Sequence, residues 1–189
     1  MGKKVAQIEA QIISKYTPSN AMLLSIGSGP GIIETDVHRM REDITVITLD
    51  CNPNMTKRIP LSLQPVLADG QHLPFSFNTF DMVVCITSLE FMKHPEETIK
   101  QIVDILKPKG ILLALMLNPD STYVQQKMQT SNSYIGTHLK QQSLDQITDA
   151  VSHWFRKITS DDDLKKDFDK KKEESLLIKH RLKILKAIK

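Results

Sequence analysis

The sequence predicts an α/β protein built on a doubly wound, mostly parallel sheet with helices on both faces. Three observations carry this reading. Short apolar or β-branched runs alternate with helix-compatible segments through the first 118 residues. The run at 111–117 is wholly apolar, and the run at 81–87 is apolar at its centre, as strands covered on both faces require. Finally, an apolar run at 22–26 leads into glycines at alternate positions, Gly27, Gly29 and Gly31, with a helical segment directly behind them.

The elements follow in order. Residues 5–16 carry apolar side chains at 5, 8, 12 and 13, a helical stripe that ends at Thr17-Pro18-Ser19-Asn20. Strand one is 22–26, and a helix over 31–41 follows the glycines. The β-branched run 44–49 is strand two, ending at Asp50, and 53–58 forms a short helix. Residues 65–68 make a brief third strand that ends at Asp69-Gly70. Strand four is 81–87, a helix spans 96–106, and Lys107-Pro108-Lys109-Gly110 breaks it before strand five at 111–117. Beyond Asn118, 121–130 and 143–151 read as helices and 153–159 as strand six. Residues 175–181, with a Leu-Leu-Ile centre, are read as strand seven over the alternative of a terminal helix.

Length and composition confine the chain to one α/β domain, 1–189, with a core at 20–118, a lid-like insertion at 118–150 and a charged segment at 161–189. Apolar content of 40% with 25% charge is that of a water-soluble protein, and no run approaches the ~20 apolar residues that span a bilayer. Two cysteines, Cys51 and Cys85, form no disulfide framework, which points to a reducing, cytoplasmic setting. The net charge of +3 comes from the C-terminal segment, where 161–189 hold ten basic and seven acidic residues. That tail lacks interleaved aromatics, so it reads as a solvated segment and not as a nucleic-acid arm.

In such a sheet the carboxyl ends of the first four strands line one crevice. The glycine turn, Asp50, Asp69-Gly70 and Thr87-Ser88 all fall there. The glycine spacing excludes two ligand classes. A dinucleotide fingerprint wants its third glycine where Ile32 stands, and no Gly-Lys-Ser/Thr of a triphosphate loop occurs. A carboxylate at Asp50 suits the paired hydroxyls of a ribose, although it also suits a helix N-cap ahead of Pro53. Asp69 suits an adenine amine, or the ordinary turn of Ala-Asp-Gly.

With these motifs in place, the chain resembles class I S-adenosylmethionine-dependent methyltransferases of the type-11, small-molecule group. The matching stretches are Leu-Ser-Ile-Gly-Ser-Gly-Pro-Gly at 24–31, the strand ending in Asp50, and Ala-Asp-Gly-Gln-His-Leu-Pro-Phe at 68–75. Phe80-Asp81-Met-Val-Val-Cys with Leu89-Glu90-Phe91, and the break at 106–110, complete the set. The resemblance implies a Rossmann-like sheet of seven strands whose last strand runs antiparallel between strands five and six. It implies S-adenosylmethionine as cofactor, with Gly27, Gly29 and Gly31 packed against it. Asp50 and the adjoining Cys51 would lie at the ribose, Asp69 and Gly70 at the adenine, and Cys85, Ile86 and Thr87 at the methionine part.

The chain departs from the family pattern twice. Ser25 stands where the family usually has an acid that orders the glycine loop and the cofactor's amino group. Phe91 stands where many relatives have histidine. The expected activity is methyl transfer to a small-molecule acceptor. A non-catalytic cofactor-binding or partner-regulating protein of the same fold is the alternative from another class. An RNA methyltransferase ranks lower, because Asn118-Pro119-Asp120 follows strand five, whereas base-amine methyltransferases place such a motif after strand four. Glu90, His94, His72 and His138 are bases by type, and no spacing marks any of them as catalytic. No set of residues has metal-ligand spacing, and the sequence leaves acceptor and oligomeric state open.

Overall fold

Seven strands form one sheet in the order β3-β2-β1-β4-β5-β7-β6. The computed structural model describes residues 2–130, 132–139, 142–159 and 182–189. The first strands are β1 (Met22–Ile26), β2 (Thr45–Asp50), β3 (Pro65–Leu67) and β4 (Phe80–Ile86), each within a residue or two of its predicted span. They pair in parallel, as do β4 and β5 (Leu106–Leu117). The last strand, β7 (Leu182–Ile188), runs antiparallel to both β5 and β6 (Lys157–Thr159). This is the fold class and strand arrangement that the sequence predicts.

The alternation of strand side chains divides the core into two layers. Leu23, Val46, Met82, Val84, Leu113 and Leu115 face α1 (Gly2–Tyr16) and α2 (Ile32–Met40). Leu24, Leu49, Val83, Cys85, Leu112 and Ala114 face α4 (Pro95–Ile105) and α7 (Gln142–Trp154). Each buried Leu, Ile or Val contributes roughly 1.5–3 kcal/mol of transfer free energy, so both layers are needed to hold a domain of this length. Two shorter helices, α5 (Thr122–Gln129) and α6 (Tyr134–His138), cover the carboxyl end of β5, and α3 (Pro53–Thr56) follows β2.

The predicted break at 107–110 proves to be part of β5. Phe80 pairs with Leu106 and Met82 with Ile111, so the extra residues bulge out of the ladder. Lys109 takes φ 67° there, and Lys107 reaches back to bind both oxygens of Asp81 at 2.8 Å. Asp81 also accepts from the Met22 N–H at 2.9 Å. The acid of the Phe-Asp-Met-Val-Val motif is thus a clamp between the amino ends of β1, β4 and β5.

In the C-terminal third the structure differs from the sequence reading in the following ways. Strand six is shorter than 153–159, because His153 and Trp154 complete the last turn of α7. Helix α6 has no counterpart in the sequence reading; it is a single turn capped by Ser133, too short to show a period. The strand expected at 175–181 falls outside the described residues, and the strand that pairs with β5 is Leu182–Ile188. Its buried residues Leu182, Ile184 and Ala187 meet β5 on both faces, while Lys186 lies over the Tyr16 ring at 4.6 Å. The basic end of the chain is therefore sheet over 182–188, with Lys183 and Lys186 half-buried along it.

Candidate functional site

The crevice opens where β1 ends. Gly27, Gly29 and Gly31 all have positive φ, at 73°, 56° and 73°, so the chain reverses through conformations that side chains resist. Their surroundings differ. A Cβ on Gly27 would lie 2.5 Å from the Cβ of Ser88, whereas one on Gly29 would meet nothing within 4 Å. Gly27 is therefore a packing requirement between β1 and the end of β4, and Gly29 faces open space. Ser88, which the sequence places only at a strand end, holds this contact by donating from Oγ to the Ile26 carbonyl at 2.9 Å.

That difference gives a paired prediction. Gly27→Ala should destabilise the fold by several kcal/mol, because strain at positive φ adds to a backbone-near clash. Gly29→Ala should cost only about 1 kcal/mol in stability while it fills the open side of the turn and removes ligand binding. Thermal melts and titration calorimetry separate the two, and equal effects on stability would contradict the assignment.

Asp50 lies at the end of β2 with 9% of its surface exposed. One carboxylate oxygen accepts from the Gly29 N–H at 2.8 Å, the other from the Asn52 N–H at 2.8 Å. The helix-cap alternative belongs to Asn52, whose side chain accepts from the Asn54 N–H. Asp50 instead ties the glycine turn to the β2 end and keeps acceptor capacity on both oxygens. Cys51 beside it is exposed.

Asp69 is exposed and accepts from the Gln71 N–H at 3.0 Å, so the turn role is present in the structure. Gly70 is buried against Met92, Thr98 and Ile26. Cys85 and Ile86 point into opposite core layers. Burial pushes the Cys85 thiol up to about 12, which keeps it protonated and unreactive. Thr87 sits at the mouth with φ 44°, its N–H bonded to the Leu115 carbonyl at 2.7 Å.

Ser25 is fully buried, and its hydroxyl donates to Glu34 Oε1 at 2.6 Å. The sequence reading does not single out Glu34. The available signal is a carboxylate one turn before Val37 on the buried stripe of α2. Its carboxyl is pushed up to about 7, first by burial and also by Asp50, with the Ser25 bond opposing.

Glu90 is a further buried acid, 1% exposed. It lies in a 3-10 turn after β4, and its Oε1 accepts from the Leu117 N–H at 2.9 Å, joining the ends of β4 and β5. Burial pushes it up from 4.5 to about 7, against the Leu117 bond. Its folded value exceeds its unfolded value, so the folded state holds the proton longer. Stability from this group is complete below about 4.5 and is lost as pH rises through about 7. Replacing Glu90 by Gln should shift relative stability toward the variant by about 2–3 kcal/mol between pH 5 and pH 8. Denaturant melts at both pH values measure this, and a pH-independent gap would refute it.

Phe91, the second departure, packs against Tyr134 of α6 at a ring separation of 5.2 Å, and Tyr134 stacks on His138 at 4.2 Å. Phe91 belongs, with Leu117, Val124, Leu139, Tyr123 and Ile135, to a third apolar cluster at the carboxyl end of β5, while Tyr134 and His138 lie exposed on its outside. His72, His94 and His138 all lie outside that cluster. Among the described residues, no helix is long and apolar enough to cross a membrane and no acidic, His or Cys group has metal-site geometry.

The sequence pattern of the methyltransferase domain family, Methyltransf_11, matches residues 24–114, the span from the glycine turn to the middle of β5. Residues 24–114 thus carry a methyltransferase domain of the type-11 kind. An uncharacterized protein of Methanocaldococcus jannaschii is 36% identical over 100 residues, which is 53% of this chain and 42% of that protein. The ubiquinone/menaquinone biosynthesis C-methyltransferase UbiE of Pseudomonas entomophila is 25% identical over 166 residues, 70% of this chain and 65% of its own length. The chain thus spans less than two thirds of either relative. In structure, a SAM-dependent methyltransferase of Archaeoglobus fulgidus superposes with a TM-score of 0.72 at 15% identity, over 98% of this chain and 94% of the other.

S-adenosylmethionine is the cofactor of this domain class, and the residues present fit it. Gly29 leaves open space at the turn, Asp50 offers acceptors at the β2 end, and Glu34 Oε2 is a buried oxygen with no partner.

Proposed function

We propose that this protein transfers a methyl group to a small apolar or aromatic acceptor bound under α5 and α6. The observation that carries the acceptor class is the ring cluster of Phe91, Tyr134 and His138 over the carboxyl ends of β4 and β5. In this reading half-buried Phe91 faces the acceptor, with Tyr134 and His138 stacked outside it, an aromatic surface suited to a planar, weakly polar molecule. Quinones, for which the similar Pseudomonas methyltransferase is named, belong to that chemical class.

The bound cofactor supplies a methyl already activated on a sulfonium, so the protein contributes position and the exclusion of water. In this reading Asp50 receives the ribose hydroxyls while it holds Gly29, and Cys51 borders the sugar. Asp69 and the backbone at Gly70 receive the adenine. The backbone at 85–87, Cys85, Ile86 and Thr87, borders the methionine part, and Gly27 and Gly31 shape the turn around Gly29. The 118–150 segment supplies the acceptor's cover. The free thiols Cys51 and Cys85 suit a reducing compartment, and we place the protein in the cytoplasm.

The test uses purified protein, a methyl-labelled donor and a fractionated metabolite extract. Label should appear in a small, organic-extractable product and depend on Asp50. Label confined to macromolecules would overturn the acceptor class. Absence of binding to S-adenosylmethionine or S-adenosylhomocysteine at millimolar ligand would overturn the methyltransferase reading itself.

A further inference from the structure

The buried pair Ser25–Glu34 spans the base of the glycine turn. Ser25 lies two residues before Gly27 and Glu34 three residues after Gly31, and their 2.6 Å bond ties β1 to α2 across the turn. Ser25 is 0% exposed and Glu34 2%. Glu34 Oε2 is buried with no hydrogen-bond partner, and among the described residues Glu34 has no ion-pair partner. A buried carboxylate in that state is costly and is retained where something else supplies the missing charge.

The groups around it only sharpen the need. Asp50 at the end of β2 repels Glu34 from one side. Glu9 of α1, itself 6% exposed, feels Glu34 as a like charge. His38, one turn along α2, has a buried Nδ1 without a partner and does not contribute to the shift at Glu34. Glu34 therefore has two acids and, among the described residues, no cation acting on it, at the base of a turn with open space at Gly29. This arrangement fits a cationic ligand.

We propose that Glu34 is the acid that orders the glycine turn and receives the ammonium end of the bound cofactor, taking over from α2 the charge that Ser25 does not supply from β1. Glu34 is then a cofactor-binding residue, and Ser25 is the positioning residue that acts through it. The proposal rests on the methyltransferase reading and assigns to this chain a carboxylate in a different place from the family pattern. Because Glu34 is pushed up to about 7, a cation beside it should drive its ionisation and release a proton near neutral pH. Glu9, raised to about 7 by burial and by Glu34, shares in that release as one of a coupled pair.

The test is calorimetry with two ligands, S-adenosylhomocysteine, which carries the amino-acid end, and methylthioadenosine, which lacks it. Glu34→Gln should weaken S-adenosylhomocysteine about tenfold and leave methylthioadenosine within twofold. Titrations at pH 7 in buffers of different ionisation enthalpy should show proton release with the wild type and a much smaller release with Glu34→Gln. The double variant Ser25→Asp/Glu34→Ser, which returns the acid to β1, should recover most of the lost affinity. A residue that merely props the fold would lower the melting temperature when changed; Glu34→Gln should raise it at pH 8. Equal weakening of both ligands, or of neither, would overturn the proposal and leave the methyltransferase reading standing. Wild-type protein that binds neither ligand would overturn both.

Discussion

Removing the last strand should abolish the fold. A chain ending at Arg181 lacks β7, which pairs with β5 through seven residues and holds β6 on its other side. Leu182, Ile184 and Leu185 leave the core, each worth roughly 1.5–3 kcal/mol. That sum alone approaches the roughly 5–15 kcal/mol of net stability usual for a domain. Beyond it, β5 becomes an open edge whose faces, Leu113 and Leu115 among them, meet water or another chain. Circular dichroism should show loss of the cooperative thermal transition, and the truncated chain should aggregate. A truncation that melts cooperatively and still binds cofactor would show that the terminal strand is an accessory. Ile184→Asp, a single charge placed in the same buried strand, should act in the same direction.

Asp50→Ala should weaken binding of S-adenosylhomocysteine about a hundredfold, near 2.7 kcal/mol. Two effects combine. The Gly29 N–H loses its acceptor, so the turn is no longer tied to the β2 end. The proposed charge-assisted contacts to the ribose, about 1.5–3 kcal/mol each when well formed, are removed as well. Ser25→Ala should cost less, about fivefold, because it removes one bond to Glu34 and leaves the carboxylate in place. Calorimetry on both variants decides the order. Equal losses, or a larger loss at Ser25, would mean that the ribose ligand is wrongly assigned. Asp50→Asn is an intermediate case, since its amide oxygen accepts one of the two N–H groups and its nitrogen none.

Much of the fold is legible in the sequence because its signals are local. Residues 22–26 match β1 residue for residue, since an apolar run followed by glycines defines both ends of a strand within ten positions. Glycine at 27, 29 and 31 announces the positive φ values that the structure shows. Legibility declines past Asn118, where the elements are short. The single turn of α6 and the three residues of β6 have no period to read. Of two neighbouring apolar runs, hydrophobicity alone does not identify the one that meets β5, which is Leu182–Ile188, seven residues beyond the expected 175–181.

The sequence by itself determined the order of strands and helices, the glycine turn and the set of strand ends that converge on one crevice. Each of these rests on side-chain period or turn chemistry, which a few consecutive residues encode. Only the tertiary structure decided what the converging residues do. It separated Gly27, pressed on Ser88, from Gly29, which faces open space. It set Phe91 against Tyr134, so that an aromatic contact stands at the position of the missing histidine. It also put Glu34 beside Ser25, so that a carboxylate nine positions away occupies the neighbourhood of an acid absent from β1. The reason is physical. A carboxyl's charge state and partners depend on the dielectric and the dipoles around it, and those exist only once distant segments have packed.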